Sequence, residues 1–173
     1  TMRVGVRTAR DLSWKDGLDA FTCTECGRCK DACPTHLTGK PLSLKAVNDS
    51  LKHHLLEQRE AIVTGDPKAE LPALVGGVIG EDTLWACTTC GYCEAACPIE
   101  LEHLPKFFRM RQHQVMIEGA FPHELKKVFE AYESQSNPWG LQADQRGHWA
   151  QGLDVPVVRS AADLAGLDVL FYV

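Results

Sequence analysis

Two short runs hold all eight cysteines of this sequence: "CTECGRCKDACP" at positions 23 to 34 and "CTTCGYCEAACP" at 87 to 98. They agree at eight of twelve positions, lie 64 residues apart, and present Cys23, Cys26, Cys29 and Cys33, then Cys87, Cys90, Cys93 and Cys97. Disulfide frameworks scatter their cysteines so that loops close, and a chain of 173 residues can bury a core without such staples. Clustering of this kind points to metal. Three thiolates at x2 spacings let one loop wrap a polynuclear cluster, whereas zinc favours two separated C-x2-C knuckles around a single ion. With glycine and proline repeated in both copies, the pattern favours iron-sulfur clusters over zinc. A zinc-bound structural or interaction module and an iron-sulfur redox sensor are the alternative readings.

The C-x2-C-x2-C-x3-C-P run resembles that of bacterial two-cluster ferredoxins, in which the fourth cysteine ligates the other cluster. The resemblance implies that Cys23, Cys26, Cys29 and Cys97 hold one 4Fe-4S cluster, and Cys87, Cys90, Cys93 and Cys33 a second. In each block the third and fourth cysteines are four residues apart, which on a helix is about one turn, roughly 5 to 6 Å. One turn can therefore touch both sites. Gly27 and Gly91 follow the second cysteine of each block, where backbone amides must approach sulfur and positive φ can be required. Pro34 and Pro98 close the turns.

The positioning elements read as helices. Ser43 can cap a helix whose apolar residues Leu44, Val47, Leu51 and Leu55 recur at three- and four-residue steps, ending near Gly65. "TGDPKAELPALVGG" reads as loop, since its prolines and glycines interrupt any period. A second helix carries Leu101, Leu104 and Phe108 on one face and stops at Gly119; a third starts at Pro122 and places Leu125, Val128, Phe129 and Tyr132 on one stripe. Residues 136–160 lack a period and read as an extended connector pinned by Trp139 and Trp149. "SAADLAGL" forms a short helix and "DVLFYV" an apolar strand without a partner, which predicts that the sequence is cut from a longer polypeptide.

Composition excludes several functions. The net charge is -5 with mixed signs, and no basic stripe interleaves with aromatics as nucleic-acid binding requires. The longest apolar stretch, "LPALVGGVIG", is half the length of a membrane span. No basic, then apolar, leader opens the sequence, so a reducing, cytoplasmic location is expected, at the membrane's cytoplasmic face if missing parts of the chain anchor it. No paired acid and base, activated nucleophile or phosphate-binding loop is found, so no catalytic residue is expected here.

A 53-residue separation between Cys33 and Cys87 is too long for the compact ferredoxin hairpin. Both blocks and the helix between them resemble instead the alpha-helical ferredoxin domain found in the iron-sulfur subunits of succinate dehydrogenase and of heterodisulfide reductase. "CTECGRC", "CTTCGYC", "NPWG" at 137–140 and the closing "LDVLFYV" are similar to heterodisulfide-reductase-related iron-sulfur oxidoreductases, which include glycolate oxidase and glycerol-3-phosphate dehydrogenase subunits. The resemblance implies a mainly α fold: an alpha-helical ferredoxin domain at 1–135, the connector at 136–160, and at 161–173 the start of a truncated cysteine-rich α/β domain. It implies single-electron transfer between a dehydrogenase or flavoprotein and a reductase or quinone site, with a downstream cysteine-rich or membrane haem module as partner.

Other candidates read more plainly. His53 and His54, adjacent and so about 100° apart on a helix, read as solvated surface. His103, Lys106, Arg109, Arg111 and His113 read as a solvated basic face, with docking of an acidic partner or anionic headgroups as its functional alternative. Phe21 and Trp85, two residues before each block, read as apolar cover over the clusters. Arg28 and Lys30 in the first block, against Tyr92 and Glu94 in the second, predict the higher potential for the first block's cluster.

Overall fold

The computed structural model describes residues 4–65 and 69–170 and is mainly helical, with no strand among the described residues. It forms two compact units, Thr1–Phe121 and Pro122–Val173. In the first, helix α1 is Trp14–Thr22, α2 Arg28–Asp31, α3 Pro34–Leu37, α4 Leu44–Glu57, α5 Arg59–Thr64, α6 Glu81–Ala86, α7 Tyr92–Ala95 and α8 Leu104–His113.

The cysteine repeat is a repeat of structure. Helices α1 and α6 end with Cys23 and Cys87 at their C-caps, a loop carries the second cysteine, and the short helices α2 and α7 carry Cys29 and Cys93. α2 and α7 pack against each other, which brings the two copies together.

Ser43 caps α4 as its sequence predicts, accepting from the Ala46 amide at 3.3 Å. Leu44, Val47 and Leu51 are buried and Leu55 packs against them, as the period predicts. The expected single helix to Gly65 instead breaks at Gln58 into α4 and α5, and Gly65 ends α5 at φ +64°. Each buried leucine contributes on the order of 2 kcal/mol of apolar burial, so this stripe anchors the core on which the cysteine loops sit.

Helix α8 departs from its expected face. His103, Lys106, Phe107, Met110 and His113 are the buried residues, at steps of three and four, while Phe108 is exposed. Polar side chains thus occupy core positions, which a search for apolar period passes over. After α8 the chain makes a π-helical turn, Gln114–Glu118, and stops at Gly119 in the left-handed region, where the stop was predicted.

A half-buried ionic contact ties α1 to α8. Asp16 accepts from the Ser13 amide and hydroxyl, both at 2.7 Å, and is paired with Arg109. Burial raises its pKa, but the Ser13 bonds and then Arg109 outweigh this and hold the carboxyl below its ordinary value. A depressed carboxylate contributes stability above its unfolded-state pKa and loses it as pH falls through the lower folded value. Asp16→Asn is therefore expected to lower stability at neutral pH by about 2 kcal/mol, and the gap to the wild type should close in acid. Denaturant unfolding at several pH values checks both parts.

In the second unit, α9 is Leu125–Gln135, followed by 3-10 turns at Ala143–Ala150 and Ala161–Leu164. Trp139, expected to pin the connector, is 79% exposed, and Trp149 is about half exposed. The largely exposed Trp139 indole gains little from burial. Of the terminal strand expected over 168–173, residues 168–170 carry no strand and the remainder lies outside the described residues.

Candidate iron-sulfur site

Two cavities adjoin the repeat. The first, with about 320 Å³ of empty space, is lined by Cys23, Cys26 and Cys29 from one block and Cys97 from the other. The second, with about 260 Å³, is lined by Cys87, Cys90 and Cys93 together with Cys33. The sulfurs also act on one another electrostatically, within each set and between them. Burial, then Cys23, and further Cys26 and Cys97, push the Cys29 thiol up, while burial raises Cys87 with Cys33 and Cys90 adding to it. Burial, then Glu94 and Cys87, push Cys93 up to about 12, and Cys29 of the first block also contributes. Thiols so raised hold their protons unless a cation replaces them, which is the chemistry of a thiolate-ligated metal centre.

The loops are built to point amide donors at sulfur. Gly27 and Gly91 have φ of +84° and +77°, as the sequence suggests. Glu25 and Thr89, equivalent positions in the repeat, also lie in the left-handed region at φ +56°, a strained conformation for residues with a Cβ. Sequence reading missed them, because neither residue type advertises a positive φ; only the repeat links them. The Thr89 amide donates to Cys87 Sγ and the Leu101 amide to Cys97 Sγ, each at 3.4 Å. Such N–H···S bonds stabilise negative charge on sulfur.

The basic run on α8 is not a solvated face. His103, Lys106 and His113 are buried, and Lys106 donates to Asn48 Oδ1 at 3.2 Å. Arg109 pairs with Asp16; His113 Nδ1 lies 3.1 Å from Val4 O; Arg111 donates to Leu84 O and Cys87 O at 2.6 Å each. Lys106, Arg109, Arg111 and His113 are engaged by internal partners and His103 is buried, so neither the solvated reading nor the docking patch holds. Of the histidine pair, His53 is on the surface near Asp49, but His54 is buried.

Phe21 is about half exposed and lines neither cavity, and Trp85 lies beneath Arg111 at 5.2 Å, so the expected apolar cover is absent. Glu94 has a different task from the one its charge suggests. Its Oε1 accepts from the His103 and Leu104 amides at 2.6 and 2.7 Å, capping α8. With Glu94 engaged there and the Arg111 charge set beside Cys87, the sequence's charge inventory no longer orders the two potentials. Glu94→Ala should cost about 1 to 2 kcal/mol through the two orphaned amides, and Glu94→Gln, which keeps an acceptor, should recover most of it. Chemical denaturation of the two variants side by side checks this.

The donor set fits iron-sulfur chemistry: four cysteines at each cavity, with amide donors at sulfur. Residues 15–98 match the family described as 4Fe-4S dicluster domain, which implies two 4Fe-4S clusters. The chain is 36% identical over 180 residues to the EtfAB:quinone oxidoreductase of Syntrophomonas wolfei, covering 92% of this chain and 25% of that protein. It is 32% identical over 188 residues to the probable iron-sulfur-binding oxidoreductase FadF of Bacillus subtilis, covering 90% and 27%. With one subunit of the ferredoxin:CoB-CoM heterodisulfide reductase of Methanosarcina mazei it shares 27% identity over 114 residues, 66% of this chain and 57% of that one. The chain spans about a quarter of the length of the first two relatives. No solved structure matches it significantly. With its duplicated cysteine loops, the chain carries a 4Fe-4S dicluster domain, an iron-sulfur electron-transfer domain whose relatives are iron-sulfur oxidoreductases.

Proposed function

We propose that the domain relays single electrons between a flavoprotein or dehydrogenase and a reductase or quinone site, through two clusters with crossed ligands. Cys23, Cys26, Cys29 and Cys97 hold one, and Cys87, Cys90, Cys93 and Cys33 the other. The observation that carries this reading is the lining of the two cavities, each with three cysteines of one block and the fourth of its counterpart. When bound, the clusters supply reversible one-electron chemistry, and the protein's work is to hold and tune them.

The chain's own residues do that work by burying Cys33 and Cys93 and by aiming amides at sulfur. The adjacency of α2 and α7 keeps the two cysteine sets in contact, as an internal relay requires. A relative whose name couples EtfAB to quinone supports a flavoprotein donor and a lipid-soluble acceptor for this chain too, and so a place at the cytoplasmic face of a membrane. Among the described residues no helix is long and apolar enough to cross a membrane, so the attachment belongs to a partner or to another part of the polypeptide. Residues 136–160 then serve as the connector towards a cysteine-rich domain beginning at 161.

Anaerobically purified protein should be brown, with broad absorbance near about 400 nm that bleaches on reduction and returns on reoxidation. Colourless protein carrying zinc would overturn the reading.

A further inference from the structure

His103 has no assigned role, and its surroundings make it conspicuous. It is 1% exposed and lines the first cavity beside Cys23, Cys26, Cys29 and Cys97. Neither Nδ1 nor Nε2 has a hydrogen-bond partner. Buried ring nitrogens are almost always satisfied, and an orphaned N–H costs on the order of 1 to 3 kcal/mol. Its backbone amide is fixed by Glu94 at the start of α8, so the side chain is positioned rather than loose. The cavity it lines, where sulfur collects negative charge, can offer that acceptor. A neutral imidazole always carries one N–H, and sulfur accepts it.

Resting on the crossed ligation proposed above, we propose that His103 donates a side-chain hydrogen bond to a sulfur of the cluster held by Cys23, Cys26, Cys29 and Cys97, and thereby raises that cluster's potential. The second cavity has no equivalent: its lining contains no histidine, and Leu104 contacts it from α8 instead. His103 is thus one source of asymmetry between the two halves of the repeat, beside Glu25, Arg28 and Lys45, which also line the first cavity and have no charged counterpart in the second. Reduction adds negative charge to the cluster, and a fixed donor stabilises the reduced form more than the oxidised one. His103 is a tuning residue; it gives up no proton and no electron.

The test is potentiometric EPR on cluster-loaded protein. In His103→Leu one of the two midpoints should move to more negative potential while the other stays, and His103→Gln, which keeps an N–H, should move it less. In wild-type protein grown with ¹⁵N-histidine, pulsed EPR of the reduced state should detect a weakly coupled histidine nitrogen, absent in the Leu variant. Unchanged midpoints in a loaded His103→Leu protein would overturn the inference. If that variant fails to load, the wild-type spectrum decides: a coupled histidine nitrogen supports the bond, and none overturns it. Absence of any iron-sulfur signal in the wild type would instead overturn the functional reading and this inference with it.

Discussion

Cys33→Ala protein should retain one cluster and lose the other, with iron and acid-labile sulfide falling to about half of the wild-type content. The loss should fall on the site lined by Cys87, Cys90 and Cys93, although Cys33 is separated from them by more than fifty residues. Cys97→Ala should do the converse, removing the fourth ligand from the cavity of Cys23, Cys26 and Cys29. The effect is large because the ligand is not replaceable locally. Cys33 is buried, and the nearby Thr35 hydroxyl is a poor iron ligand beside a thiolate. A model in which each block binds its own cluster with its own four cysteines predicts the opposite assignment for both variants.

The second large effect lies away from sulfur. Gly5→Ala should destabilise the domain by about 3 to 5 kcal/mol, or prevent folding outright. Gly5 sits at φ +72°, and a Cβ there would overlap the backbone of α8, meeting the Arg109 carbonyl and the His113 amide nitrogen at 2.5 Å. The clash is with backbone, so no side-chain rotation relieves it. Through this approach the Val6 amide donates to Arg109 O at 2.9 Å and the Leu74 amide to Arg7 O at 2.7 Å, so the N-terminal segment bridges α8 and the loop before α6. Gly17 is the control. It lies inside α1 with open space around it, and Gly17→Ala should stabilise by about 0.5 to 1 kcal/mol. Thermal unfolding of the two variants should therefore move in opposite directions.

Legibility in the sequence followed the kind of residue that did each job. Where apolar side chains pack, as Leu44, Val47 and Leu51 do beneath a serine cap, spacing alone located the helix and its buried face. Where polar side chains are buried against partners from elsewhere, it failed. Lys106 and His103 occupy core positions of α8, and the Asn48 that accepts from Lys106 is 58 residues away, so nothing local reveals that these side chains face inward. Glu94 looked like a charge beside a cluster because its capping bonds go to amides nine and ten residues on. The left-handed residues Glu25 and Thr89 carry no glycine to announce them. The pairing of Cys97 with the first block came from resemblance, not spacing, and is a proposal that the cysteine variants test.

The crossed arrangement is tested most directly by asking which variants erase the same spectrum. With single alanine replacements loaded under identical conditions, the reduced EPR signal missing from Cys33→Ala should be the one missing from Cys90→Ala, and Cys97→Ala should match Cys26→Ala. If Cys33→Ala instead loses the signal lost by Cys26→Ala, each block serves its own cluster and the crossed account is wrong.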